Sequence, residues 1–281
     1  MTIAVLGAGG QLGRALTALL PDARALHRAD LDVTDAAAVA AHDWSGVDVL
    51  INAAAYTAVD KAETPQGRIA AWAANATAVA HLAAAANAHG MTLVHVSSEY
   101  VFDGRTTGPI LEDAPLCPLG AYGASKAAGE VGARFAARHL VVRTTWVVGD
   151  GANFVRTMLG LAARGVSPAV VDDQIGRPTF ATDLAAGIVG LLDAPAGVYH
   201  LTNTGEPASW ADVARATFAL GGRDQADVTG TTTAAYFADK PQAAPRPLNS
   251  VLDLAKAAAV GVELPPWRDG LADYVKQELG R

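Results

Sequence analysis

Tyr122 and Lys126 stand four residues apart in the run Tyr-Gly-Ala-Ser-Lys. On a helix that spacing puts both side chains on one face. An ammonium beside a phenol stabilises the phenolate, so Lys126 is expected to lower the Tyr122 pKa from its usual ~10. A tyrosine so tuned is a proton donor and acceptor near neutrality. Upstream, Ser97-Ser98-Glu99-Tyr100 closes the apolar run 93–96. A hydroxyl at the C-terminal end of a parallel strand lies at the crevice where open α/β sheets bind ligands. Ser98 placed there would hydrogen-bond a carbonyl and polarise it as negative charge develops on oxygen.

A third feature sits at the start of the chain, where Gly7-Ala-Gly-Gly-Gln-Leu-Gly13 follows an apolar run directly. In such a turn one glycine permits the tight bend, one lets the backbone approach a pyrophosphate and one lets the helix pack on the strand. The helix N-terminus offers free N–H groups to the anion. The spacing here is Gly7, Gly10, Gly13, and Leu12 takes the last place of the commoner G-x-G-x-x-G. Asn52-Ala-Ala-Ala55 ends another apolar run with small residues that let a ribose and a nicotinamide lie close. At the end of the second strand stands Arg28, which suits a 2′-phosphate, so NADPH is the expected cofactor. Asp30 and Asp32 follow closely and leave NADH open.

Holding these groups together requires a parallel sheet. Strands are predicted at 3–6, 23–27, 47–51, 92–96, 140–143 and 169–171, and helices at 11–20, 35–42, 65–89 and 122–138. Strand–helix alternation with continuous apolar strands means a doubly wound α/β sheet of the Rossmann type, buried on both faces. Thr64-Pro65 is a helix start, an N-cap followed by proline at the first helical position. After about residue 150 prolines and glycines become frequent. Two units are therefore expected: a dinucleotide-binding domain over 1–150, to which some later segments return, and a smaller substrate-binding lobe over 151–281.

Composition narrows the alternatives. Of 281 residues, 51% are hydrophobic and 17% charged, enough for a sizeable core and against a disordered chain. The net charge is −7, with no basic stripe, so no nucleic-acid partner is expected. No apolar run of membrane-spanning length is read, and no membrane partner follows. The chain enters Thr2-Ile-Ala-Val-Leu6 without a basic leader, and with one cysteine, Cys117, it fits a reducing cytoplasm. Seven scattered histidines have no metal-ligand spacing, so no metal site is expected. His200, Trp210 and Trp267 read as structural packing.

The order of glycine turn, Asn-Ala-Ala, Ser-Ser and Tyr-x-x-x-Lys resembles the extended short-chain dehydrogenase/reductase superfamily. Within it the chain is similar to the dTDP-4-dehydrorhamnose reductases. The likeness is carried by Asn52 to Glu63 (Asn-Ala-Ala-Ala-Tyr-Thr-Ala-Val-Asp-Lys-Ala-Glu), Tyr100-Val-Phe-Asp-Gly104 and Arg143-Thr-Thr-Trp146. Asn153-Phe154, Asp173-Gln-Ile-Gly-Arg-Pro-Thr179 and Arg246-Pro-Leu-Asn-Ser250 extend it across nearly the whole chain. The resemblance implies hydride transfer to C4 of a nucleotide-linked 4-keto-6-deoxy sugar, with Tyr122 giving the proton. Lys126 would hold the cofactor ribose, and Ser98, standing where the family has Thr, would orient the carbonyl. Gly7, Gly10, Gln11, Leu12, Asp32, Val33, Ala53, Ala54, Tyr56 and Lys126 map to cofactor contacts. Ser98, Glu99, Tyr100, Trp146, Asn153 and Gln174 map to the nucleotide sugar. Glu99 departs from the family's Asp and leaves open another 4-keto sugar. The early helix reads Arg14-Ala-Leu16 where some members carry glutamates for Mg²⁺, so no metal is implied. A monomer or a homodimer is expected. Two readings compete: an epimerase or dehydratase with tightly held NAD, and a non-catalytic NADP-binding regulatory subunit of the methionine adenosyltransferase type.

Overall fold

The computed structural model describes residues 1–280. Six strands form one parallel sheet: β1 (Ile3–Leu6), β2 (Arg24–Leu26), β3 (Val49–Asn52), β4 (Thr92–Ser98), β5 (His139–Thr144) and β6 (Gly197–His200). Their order is β6-β5-β4-β3-β1-β2. From β1 the chain steps to β2 on one side and to β3 on the other, so the order reverses between β1 and β3. In open α/β sheets the ligand crevice opens at the carboxyl ends of such a pair.

Successive strand residues point to opposite faces, and both faces are covered. Ile3 and Val5 join Val49, Ile51, Leu140 and Val142 under α1 (Gln11–Leu19). Ala4 and Leu6 join Leu50, Leu93 and Val141 on the other side, under Val79, Leu82 and Ala86. Those three belong to one long helix, which follows α2 (Ala36–Ala41) and forms α3 (Pro65–His89). Thr64 caps it, its hydroxyl accepting from Gly67 N at 3.0 Å, with Pro65 in the first turn. The next helix, α4 (Ala121–Ala133), carries the Tyr-x-x-x-Lys pair.

The remaining chain builds a smaller layered region. Helices α5 (Phe154–Ala163), α7 (Trp210–Leu220) and α8 (Trp267–Leu279) enclose Val155, Val213, Trp267 and Leu271. Between α5 and α7 lies α6 (Ala181–Gly190), whose Leu184 and Ile188 pack with Leu12 and Leu16 of α1.

Several expectations need correction. The strand at Ala169–Val171 is not in the central sheet; it pairs with Thr229–Thr231 in a separate parallel ribbon. The sixth central strand is β6. Helix α4 stops at Ala133 rather than 138, because pairing of His139 with Leu93 draws the chain into β5. Sheet pairing there overrides local helix propensity. Helix α3, against the sequence reading, is long and apolar enough to cross a membrane by length and composition, yet half of its most apolar stretch is buried in this fold. Its one π-type turn, Ala73–Thr77, has no signal in the sequence.

Candidate active site

The glycine turn leaves β1 at Gly7, whose φ of +73° is open to glycine at little cost. A Cβ there would lie 2.6 Å from Ala54 N, so the turn presses directly on the chain leaving β3. Gly13 is tighter: its Cβ would sit 2.1 Å from the Gly7 carbonyl oxygen. That contact seats α1 against the end of β1. Gly10 caps α1 without any side-chain hydrogen bond, so no side chain takes the first-turn N–H groups. A cavity of about 400 Å³ opens here, lined by Gly7, Gly10, Arg28, Asp32, Val33, Ala53, Ala54 and Tyr56. Asp32 accepts from Thr34 N at 3.0 Å and Thr34 Oγ1 at 2.7 Å, which holds its carboxyl below the usual range. Arg28 reaches the same carboxylate at 3.3 Å with its side chain largely in solvent. The rim therefore presents a guanidinium beside a carboxylate.

A second cavity, about 620 Å³, shares Gly10, Ala53 and Ala55 with the first. Gln11, Leu12, Ser98, Glu99, Tyr100, Tyr122, Lys126 and Trp146 line it. β4 brings Ser98 to its C-terminal end, in register with Thr144 of β5. α4 brings Tyr122 and Lys126, both buried, to the same wall. The Tyr100 and Tyr122 rings meet edge to face at 5.3 Å. Ser98 Oγ donates to Glu99 Oε2 at 2.6 Å. Burial pushes the Glu99 carboxyl up to about 7, against that hydrogen bond.

The expected lowering of the Tyr122 pKa does not occur. Burial, and then the carboxylate of Glu99, push the phenol well above its ordinary value; a hydrogen bond with Ser98 opposes them. Lys126 donates instead to Val96 O at 2.6 Å, and burial brings its amine down to about 8.

The sequence pattern defining the RmlD substrate binding domain matches residues 1–279. This chain belongs to the RmlD substrate binding domain family. A dTDP-4-dehydrorhamnose reductase of Streptomyces griseus is 42% identical over 99% of this chain and 94% of its own length. The crystal structure of a dTDP-4-dehydrorhamnose reductase from Clostridium acetobutylicum superposes with a TM-score of 0.92 at 36% identity, covering 99% of this chain and 100% of that one. A dTDP-4-dehydrorhamnose reductase from Bacillus anthracis, solved in complex with NADP, gives a TM-score of 0.89 at 31% identity, with coverage of 98% and 99%.

Behind the wall of this RmlD-type site lies a buried polar brace. Ser97, pointing away from Ser98, donates to Glu130 Oε1 at 2.6 Å. Arg143 grips both oxygens of the same carboxylate at 2.8 and 2.7 Å. His200 is wholly buried against Arg143, and its packing role agrees with the sequence reading. Asn75 was not singled out from sequence. It bonds the backbone of Tyr56 through both amide atoms, at 2.8 and 3.0 Å, and Ser125 at 3.0 Å. It thus ties the cofactor-side loop to α4. An asparagine inside the alanine-rich helix 65–89 is a signal it shares with Asn87, so the sequence does not single it out.

Three further residues differ from expectation. Trp210, read as packing, lines the cavity and stacks on Trp146 with ring centroids 3.8 Å apart. Trp146 holds a φ of +44°, a strained conformation for a bulky residue. Asn153 is not brought to the cavity lining: it caps α5 and donates to Gly149 O, Gly151 O and Tyr274 Oη. Gln174 is buried, donates to Thr233 Oγ1 at 3.0 Å and is not among the residues lining the cavity.

Two orphaned atoms test whether a dinucleotide suits this RmlD-type crevice. Gln11 Oε1 and Thr144 Oγ1 are buried without a partner, and both residues line the larger cavity. With the uncapped N-terminus of α1 they form a polar strip beside the small Ala53–Ala55 floor, which fits a pyrophosphate and a nicotinamide riboside.

Proposed function

We propose that this protein reduces the C4 ketone of dTDP-4-dehydrorhamnose to dTDP-rhamnose with NADPH. The observation that carries this reading is the junction of the two cavities at Gly10, Ala53 and Ala55. A dinucleotide with its adenosine end at Arg28 and Asp32 would cross the α1 N-terminus and end beside Ser98, Tyr122 and Lys126. When bound, NADPH supplies the hydride. Tyr122, fully protonated at neutral pH, gives the phenolic proton to the oxygen that becomes the C4 hydroxyl. Lys126, on the same wall and held by Val96 O, would hold the cofactor ribose. Ser98 directs its hydroxyl at the ketone oxygen.

The lobe at 151–281, which brings Trp210 onto Trp146, is assigned the nucleotide sugar together with Ser98, Glu99, Tyr100 and Trp146; the cofactor contacts are assigned within residues 1–150. Arg28 beside the adenosine end supports NADPH over NADH, as does the NADP complex of the Bacillus anthracis relative. The 42% identity with the Streptomyces griseus reductase supports the sugar.

The test is oxidation of NADPH and of NADH with dTDP-4-dehydrorhamnose generated in situ, with the wild type beside Tyr122→Phe. Substrate-dependent turnover is expected, reduced about 10²–10⁴-fold in the variant, which still binds cofactor. Cofactor binding with no turnover on this or any related 4-keto sugar would favour the non-catalytic reading.

A further inference from the structure

We propose that Glu99 is a positioning acid for the ketone: its neutral carboxyl donates to Ser98 Oγ and so frees the Ser98 proton for the substrate oxygen. This rests on the reduction proposed above and assigns that site one more working group.

A serine hydroxyl has one proton to donate. In the structure that proton goes to Glu99 Oε2 at 2.6 Å. While it does, a ketone arriving at Ser98 meets lone pairs and gains no polarisation. Once Glu99 carries a proton, its O–H donates to Ser98 Oγ and the chain runs Glu99 to Ser98 to ketone. Hydrogen bonds arranged head to tail strengthen one another in a dry site. No proton is consumed: Tyr122 supplies the one that ends on the sugar, and Glu99 keeps its own.

The surroundings favour the neutral acid. Glu99 is 2% exposed. Among the described residues no cation pairs with it. On its own segment stands Tyr100, and on α4 stand Tyr122 and Lys126, the latter held by Val96 O. Arg246 is paired with Asp60 at 2.8 Å, and Arg143 with Glu130 on the far side of β4. Arg14 and Asp150, also lining the cavity, pair with each other at 3.4 Å. Burial then raises the Glu99 carboxyl to about 7, so the competent form is present below that pH and lost as pH rises through it.

The experiment is the pH profile of kcat/KM for the wild type, Glu99→Gln and Ser98→Ala with NADPH and the 4-keto sugar. Gln keeps a donor toward Ser98 at every pH. The wild type should lose tenfold per pH unit above about 7. In Glu99→Gln that limb should move up by a pH unit or more, to where Lys126 titrates. Ser98→Ala should be slower at all pH and lack the limb near 7. An active Glu99→Gln whose limb has not moved would overturn the inference alone. If Glu99→Gln does not fold, a limb near 7 surviving in Ser98→Ala would overturn it equally. No reduction by the wild type at any pH would overturn the proposed reduction itself, and this inference with it.

Discussion

At the residue scale, the chemistry depends on where each proton sits before substrate arrives. The meeting of Ser98, Tyr122 and Lys126 on one wall was legible because it follows from local spacing: one helical turn for the pair, one strand end for the hydroxyl. Their protonation was not. It depends on Glu99 being enclosed beside Tyr122 and on Lys126 reaching a carbonyl of β4, contacts that only the fold creates. Glu99 also leaves a signature in stability. Its folded pKa, about 7, lies above the unfolded value, so the native state binds the extra proton between roughly pH 4.5 and 7. Stability should fall as pH rises through that window. Thermal unfolding of wild type and Glu99→Gln should therefore diverge with rising pH, the variant becoming the more stable. Parallel curves from pH 5 to 8 would show that Glu99 ionises without cost.

At the element scale, the sheet and its first helices could be read from apolar runs and turn residues, since burial on both faces leaves a continuous signal. What escaped was non-local. The strand at Ala169–Val171 has the right composition, but its partner is Thr229–Thr231. Trp210 reaches the cavity only because α7 docks beside the segment carrying Trp146. Gly13 shows an element depending on a missing atom. Gly13→Ala would drive a Cβ into the Gly7 carbonyl. Backbone shifts of this kind cost about 1–3 kcal/mol. Urea unfolding should report a loss in that range, together with weaker cofactor binding if the uncapped N–H groups of α1 take the pyrophosphate as proposed. An unchanged midpoint would mean that α1 does not pack on the turn as described.

At the scale of the whole molecule, two cavities meeting at a strand-order reversal define a long crevice with unlike ends. At the proposed adenosine end, Arg28 is the one cation lining the cavity among the described residues, and it is already shared with Asp32. Solvent screens such a group, so its effect on cofactor choice is modest. Arg28→Ala should weaken NADPH about tenfold, roughly 1.4 kcal/mol, and leave NADH nearly unchanged. Titration of both nucleotides at low and high salt checks this; equal losses for the two would remove Arg28 from the 2′-phosphate. The crevice was legible in outline because its parts follow one another in sequence order. Asn153 and Gln174 were not placeable, since the same residue types serve equally as a helix cap and a buried tie.

The central claim is that hydride passes from the cofactor to C4 of a nucleotide-linked sugar while Tyr122 supplies the proton. It is tested most directly with NADPH deuterated at both positions of nicotinamide C4, incubated with the protein and dTDP-4-dehydrorhamnose. The account predicts one deuterium per product molecule, on C4, by mass spectrometry and proton NMR. Product without deuterium at C4, or cofactor oxidation without a reduced sugar, would contradict it.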